Sequence, residues 1–280
     1  IYTAYFMAPA LRRKTKPLIE LMEALPTVIL GFLAGLWLAP FIEKNLPAVF
    51  SLFLLLPVGI LLFAWSWSKL PSTFRRHVPD GWHSLLLVPV VLFVVVGCVE
   101  MSAPMERWFF NGDMRSWLTN DIGVSFDQRN ALVVGIAMGF AVIPTIFSIA
   151  EDAIFSVPKH LSYGSLALGA TPWQSLVGVV MPTASPGIFS ALMIGMGRAV
   201  GETMIVLMAT GNTPIMDANI FEGMRTLAAN IAVEIGETEV DSSHYRVLFL
   251  AAFVLFMFTF AVNTVAETVR QRLRMRYGNL

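Results

Sequence analysis

Charge is scarce in this sequence. Of its 280 residues only 14% are Asp, Glu, Lys or Arg, against 56% hydrophobic, whereas a soluble domain is nearer a quarter charged. So thin a charged complement cannot cover a water-facing surface, which excludes a soluble globular enzyme. The wealth of apolar side chain excludes a disordered chain. Neither sign of charge is in excess: 19 basic residues balance 19 acidic ones, so the basic surplus of a nucleic-acid binder is missing. The single cysteine, Cys98, rules out an intrachain disulfide and leaves the redox compartment unread. The Gly-x-x-x-x-Gly-Lys-Ser/Thr phosphate loop is absent, and this chain is not expected to bind or hydrolyse ATP itself. His77, His83, His160 and His244 are scattered without ligand spacing, so no metal or other cofactor is expected, and no Ser-His-Asp arrangement can be argued.

What the chain has in abundance is long apolar runs. A helix needs about 20 apolar residues to cross ~30 Å of hydrocarbon, and residues 24–42, 46–67, 85–99, 131–150, 186–210 and 247–266 meet or approach that length. The third run is short, and the fifth is interrupted only by Arg198 and Glu202. None alternates in polarity as barrel strands do. The expectation is an all-α, polytopic membrane bundle of six spans in one unit, 1–280, with membrane lipid as its solvent. Residues 1–11 read as the tail of a helix that begins upstream.

Lys and Arg orient the spans. With Arg12, Arg13, Lys14 and Lys16 inside, the inside loops also hold Lys69, Arg75, Arg76, Lys159, Arg270, Arg272, Arg274 and Arg276, twelve in all. The outside loops hold six: Lys44, Arg107, Arg115, Arg129, Arg225 and Arg246. That bias places the C-terminus in the cytoplasm. Gly31 with Gly35, Gly135 with Gly139, and Gly197 with Gly201 are four apart, and each pair can form a flat stripe for helix contact.

Residues 151–185 form the longest inside segment. Thr171-Pro172-Trp173-Gln174 fits a capping box with proline at the first helical position. Gly169 can close the helix before it in the left-handed conformation. Pro158 can open that earlier helix and Pro182 is expected to end the later one. Leu161, Tyr163, Leu166 and Leu168 would then form an apolar patch in water, either a contact surface or a face lying on membrane or bundle.

Arg198 and Glu202 stand four apart in the fifth run, on one face of a continuous helix. Charged residues inside a span are functional hypotheses by default. They can form a bridge that fixes helix register, or they can line a path for a charged solute. Arginine suits an oxyanion because its planar fork donates two parallel hydrogen bonds.

Two motifs carry a family resemblance. Gly169, nine residues, then Val179-Val180-Met181-Pro182 resembles the coupling-loop signature of ABC importer permeases, with Tyr163-Gly164-Ser165 where Glu-Ala-Ala is typical. Gly197-Arg198-Ala199-Val200-Gly201-Glu202-Thr203, followed by Gly211-Asn212, resembles the fifth-helix motif of phosphate-specific ABC permeases, as does the opening Glu20-Leu21-Met22-Glu23-Ala24-Leu25-Pro26-Thr27-Val28. Of that group's two permease subunits the C-type match is the closer. The resemblance implies the type I importer permease fold in a bacterial inner membrane. It implies a substrate path at Arg198, Glu202 and Thr203, and ATPase coupling through Tyr163, Gly164, Ser165, Gly169 and Pro182. The implied partners are an ATP-binding cassette ATPase subunit, a second homologous permease and a periplasmic phosphate-binding protein. Residues 43–128 depart from the pattern and read as an inserted pair of spans forming a peripheral hairpin. The competing readings are an importer of another oxyanion (sulfate, molybdate or phosphonate), a membrane sensor or scaffold that moves nothing, and a secondary transporter.

Overall fold

A computed structural model describes residues 1–71, 73, 78 and 81–277. Arg75, Arg76 and His77, noted from the sequence, lie outside the described residues. Among the described residues the regular elements are helical. Helix α1 is Tyr2–Tyr5 and α2 is Pro9–Glu23. The spans α3 (Thr27–Lys44), α4 (Leu46–Lys69), α5 (Ser84–Phe109) and α7 (Ala131–Phe155) follow, with a short α6 (Met114–Trp117) before α7. Helix α8 (Lys159–Ala167) leads to the span α9 (Pro172–Val200). Then come α10 (Met204–Ala209), α11 (Leu227–Glu234) and α12 (Ser243–Tyr277). Among the described residues six helices are long and apolar enough to cross a membrane.

Several boundaries differ from the sequence expectation, each for a physical reason. Residues 1–11 are not one helical tail: α1 stops at Tyr5, and Pro9 opens a separate helix at a position where its missing N–H is harmless. The third span is 26 residues long rather than short, because the helix carries Glu100 and Glu106 beyond the uncharged run. The fifth begins at Pro172 instead of 186 and stops at Val200 instead of 210. Pro182 therefore does not end a helix. A π-helical turn at Leu176–Val180 precedes it, and this wider turn relieves the clash between a proline ring and the carbonyl one turn back.

Small residues set the closest crossings. A Cβ on Gly31 would stand 2.8 Å from the Met204 carbonyl oxygen, and one on Gly35 2.6 Å from that of Met208, so α3 and α10 touch backbone to backbone. The pairs at 135/139 and 197/201 make no such contact with another helix. The seam between α9 and α7 uses a different stripe. A Cβ on Gly187 would lie 2.5 Å from Ala153 Cβ, and one on Gly195 2.4 Å from Ile146 Cγ1, with fully buried Ala191 between them.

The main apolar core joins α3, α7 and α10 through Ala34, Val133, Val134, Ala137, Ile205 and Val206. A second cluster, Ile154, Val157, Leu176, Val180 and Ala184, packs the end of α7 on the start of α9, with α1 against it. Helices α4 and α5 pack chiefly on each other. Leu54, Leu61 and Phe93 of this pair are 68–79% exposed, as expected for side chains solvated by lipid. Trp37 and Trp65 are likewise exposed.

Gly31→Ala forces the α3–α10 crossing apart. It is expected to lower stability by about 1–3 kcal/mol, the usual range for overpacking, while Gly139→Ala, with open space around it, does not. Unfolding of the two variants in detergent checks this; equal stability would contradict the crossing.

Candidate functional site

Two helix breaks meet near the middle of the bundle. The first, residues 24–26, separates α2 from α3. Pro26 disfavours helical geometry at Leu25 and supplies no N–H of its own. The second, residues 201–203, separates α9 from α10 at Gly201, a weak helix former. Glu23 is the last residue of α2, and Arg198 lies in the last turn of α9. Thr145 faces them from α7, about 15 Å along the helix from its end at Phe155.

These three side chains form one cluster. Arg198 Nη1 donates to Glu23 Oε1 at 3.0 Å and to Thr145 Oγ1 at 2.7 Å. Thr145 Oγ1 donates to the same Glu23 oxygen at 2.9 Å. The Arg198 and Glu23 side chains keep 31% and 42% of their surface exposed. The Nε–H and Nη2–H groups of Arg198 have no hydrogen-bond partner among the described residues. The cluster continues the α9 stripe of Gly187, Ala191 and Gly195 by three residues, so the close α9–α7 seam is what brings Arg198 to Thr145.

Arg198 and Glu202 are not partners. Their four-residue spacing would share a helix face only if the helix continued, and it ends at Val200. Glu202 instead accepts the backbone N–H groups of Met204 and Ile205 at 3.1 and 3.3 Å, capping α10. Thr203 makes no side-chain cap there, and its carbonyl accepts from Leu207 at 2.9 Å. Sequence reasoning missed Glu23 and Thr145 as members of the cluster. The periodic polar residues of α2 carried a signal for Glu23. Thr145, one hydroxyl in an apolar span, carried none.

From this cluster a polar ladder descends between α2 and α7. Glu20 Oε1 accepts from Ser148 Oγ at 3.4 Å, Lys16 Nζ meets Asp152 Oδ1 at 2.9 Å, and Arg12 Nε meets Glu151 Oε1 at 3.0 Å. Positions 12, 16, 20 and 23 fall on one helix face. The Glu151 side chain is 2% exposed and is flanked by Arg12 and by Lys16 Nζ at 3.3 Å. Its hydrogen-bonded neighbour Asp152, and then Glu151, hold the Lys16 ammonium above the usual lysine range. The Arg12 guanidinium also lies 3.3 Å over the Phe155 ring, where α7 ends.

Beyond α7 lies the segment expected to couple. Pro158 precedes α8, and Gly169 closes it at φ +90°. The Gly169 N–H bonds the Leu166 carbonyl and the Ala170 N–H that of Ser165, a Schellman pair. Thr171 and Gln174 form the reciprocal capping box. Tyr163, Leu166 and Leu168 are exposed, Leu168 to 91%, whereas Leu161 is half-buried. Gly164, Ser165 and Pro182 come together with His160, Leu168 and Gly178 around a concavity of ≈ 710 Å³, and Tyr163 stands outside it. Tyr5 of α1 ties to the segment through Ser162 Oγ at 3.2 Å. On the opposite face of the bundle, Asn212 accepts from Arg225 Nε at 3.0 Å. Among the described residues no three of His, Cys, Asp or Glu gather as a metal site.

The family model described as "Binding-protein-dependent transport system inner membrane component" matches residues 1–276. A phosphate transport system permease protein PstC of Xylella fastidiosa is 29% identical over 248 residues, which are 86% of this chain and 76% of that protein. A probable ABC transporter permease protein, YqgH of Bacillus subtilis, is 38% identical over 195 residues, 68% of this chain and 60% of that protein. The phosphate transport system permease protein PstC 1 of Mycobacterium tuberculosis is 30% identical over 219 residues, 77% and 60% of the two chains. No solved structure matches this chain.

Removing the Glu202 oxygen should loosen the start of α10. Glu202→Ala is expected to cost about 1 kcal/mol, as for other lost N-terminal caps, and to speed amide exchange at Met204 and Ile205. Glu202→Gln, which keeps an acceptor, should protect both amides. Equal exchange in the two variants would contradict the capping role.

Proposed function

The chain belongs to the family of binding-protein-dependent transport system inner membrane components, and from that premise we propose that it is the permease subunit of an ATP-driven importer of inorganic phosphate. It is a multi-pass membrane protein with six spans and a transport subunit, not itself an enzyme. Several relatives bear the name phosphate transport system permease PstC, which supports phosphate as the cargo and the C-type subunit as its counterpart.

The observation that carries the reading is the half-exposed Arg198 guanidinium at the meeting of two helix breaks, with its Nε and Nη2 edge unbonded among the described residues. That edge is the fork that grips a phosphate through two parallel hydrogen bonds. Glu202 shapes the neighbouring break, and Thr203 lines it. Affinity at this point is modest, because tight binding would stall release. Capture belongs to a periplasmic phosphate-binding protein, and a second homologous permease closes the other half of the path.

ATP is hydrolysed on a separate cassette subunit, which docks on the cytoplasmic segment. Gly164, Ser165 and Pro182 border its concavity, Tyr163 projects beside it, and Gly169 sets the turn. ATP binding there closes the cytoplasmic side and opens the Arg198 site outward. The membrane is the bacterial inner membrane, with α8 and the C-terminus in the cytoplasm, consistent with the excess of Lys and Arg on that side. Within the single permease unit 1–280, residues 43–128 are an insertion whose two spans form a hairpin and whose ends, at Leu46, Met114 and Leu118, join the main core.

Arg198→Gln in the assembled transporter is expected to lower ATP-dependent phosphate uptake by about 10- to 100-fold, the loss of a charged hydrogen-bond pair. Uptake from reconstituted vesicles, with sulfate, molybdate and phosphonate as competitors, reads both the loss and the selectivity. Undiminished uptake in a well-expressed variant would overturn the role of Arg198. Stronger competition by another oxyanion would overturn phosphate.

A further inference from the structure

Arg198 is already engaged by an anion that the chain supplies itself. We propose that Glu23 is the resident counter-anion of the Arg198 site: its carboxylate occupies the guanidinium when the site is empty and gives way to the incoming oxyanion. The proposal rests on the substrate-path reading of Arg198 and adds a second residue to it, with a distinct role.

Four observations point this way. First, among the described residues Glu23 is bonded only across the gap, to Arg198 Nη1 at 3.0 Å and to Thr145 Oγ1 at 2.9 Å. Neither bond comes from its own helix. Second, Glu23 is the last residue of α2, where the negative end of the helix dipole disfavours a carboxylate. Only the arginine and the hydroxyl hold it there. Third, the two side chains are 42% and 31% exposed, so a small anion can reach both. Fourth, the three residues after Glu23 are non-helical up to Pro26, so the carboxylate can swing away without unwinding α3.

The exchange keeps charge balanced throughout. A bare guanidinium this deep in an apolar bundle is costly, so a site awaiting substrate needs a substitute anion. When Glu23 leaves, Thr145 loses the acceptor of its O–H and can turn that donor to the newcomer. The vacated cradle then offers Nη1, the free Nε and Nη2 edge and one hydroxyl, a set of donors suited to a tetrahedral oxyanion. With Glu23 in place, Nη1 and the hydroxyl are engaged and a carboxylate stands beside the free edge, so a small anion is repelled until Glu23 moves. The carboxylate therefore acts as a seal for the idle transporter as well as a partner for the arginine.

A tie that merely fixes the helices makes a different prediction, and one experiment separates the two. The complete transporter, with its ATPase and second permease, is reconstituted in proteoliposomes. Leak of labelled inorganic phosphate without ATP or binding protein is measured beside ATP-driven uptake. For Glu23→Gln the leak is expected to rise about tenfold, the effect of removing one charged competitor. Thr145→Val, which removes the bridging hydroxyl without changing charge, moves the leak the same way by less. Glu23→Asp stays near the parent, and the double variant Glu23→Gln with Arg198→Gln returns the leak to the parent level. A parental leak in Glu23→Gln, with driven uptake lowered, would overturn the proposal and leave Glu23 a structural tie. Should Glu23→Gln fail to assemble, an unchanged leak in Thr145→Val would overturn it equally. Arg198→Gln keeps the two failures apart. Undiminished driven uptake in that variant defeats the reading of Arg198, whereas lost uptake with no leak in Glu23→Gln defeats only the role of Glu23.

Discussion

A guanidinium halfway across an apolar bundle has to be neutralised where it stands. On membrane-insertion scales a charged side chain at the centre of a span costs about 2.5–3.5 kcal/mol, and Arg198 meets that cost with a partner 175 positions away, Glu23, and with Thr145 from a third helix. The two main irregularities of the bundle lie beside this cluster. Helix α2 breaks directly after Glu23, and α9 breaks three residues after Arg198. Backbone that leaves helical geometry at membrane depth must find other hydrogen-bond partners or line a wet cavity. Here the Glu202 carboxylate serves the exposed N–H groups of α10, and the Arg198 and Glu23 side chains keep part of their surface open.

The cluster is joined to the segment around α8 by two stiff routes. One is α9 itself, 29 residues from Pro172 to Val200, or about 43 Å of helix at 1.5 Å per residue. The other is α2, fastened along α7 from Glu23 down to Arg12 through a row of ion pairs and hydrogen bonds. Arg12 also covers Phe155, the last residue of α7 before the turn into α8. A tilt imposed at α8 therefore reaches Arg198 and Glu23 along separate elements, and unequal tilts of the two would part the pair. In this geometry a displacement of α8 would be carried to the charge cluster by rigid elements.

Much of this was legible in the residues. The six apolar runs, the capping box at Thr171 and the left-handed turn at Gly169 follow from local chemistry, and the structure agrees. Arg198 stood out because a charge in a long apolar run has few bland explanations. Its partner did not, because spacing along one helix offered Glu202, and whether that helix continues through Gly201 is decided by tertiary contacts. The stop expected at Pro182 failed for a similar reason: a π turn lets the chain absorb a proline without ending the helix. The glycine pairs illustrate the same limit. Gly31 and Gly35 do make a close crossing, but the seam that positions Arg198 runs through Gly187, Ala191 and Gly195, a mixed stripe that no pair rule isolates. Thr145 had no sequence signal, and only the approach of α9 and α2 gives its hydroxyl a role.

The most direct test of the account is to see the anion at the arginine. A structure of the complete transporter trapped with phosphate in transit should show a phosphate oxygen within ~3.2 Å of the Arg198 Nε or Nη2, on the path between the two permease subunits, with the Glu23 carboxylate withdrawn. Phosphate passing elsewhere, with Arg198 still clasped to Glu23 and turned from the path, would contradict it.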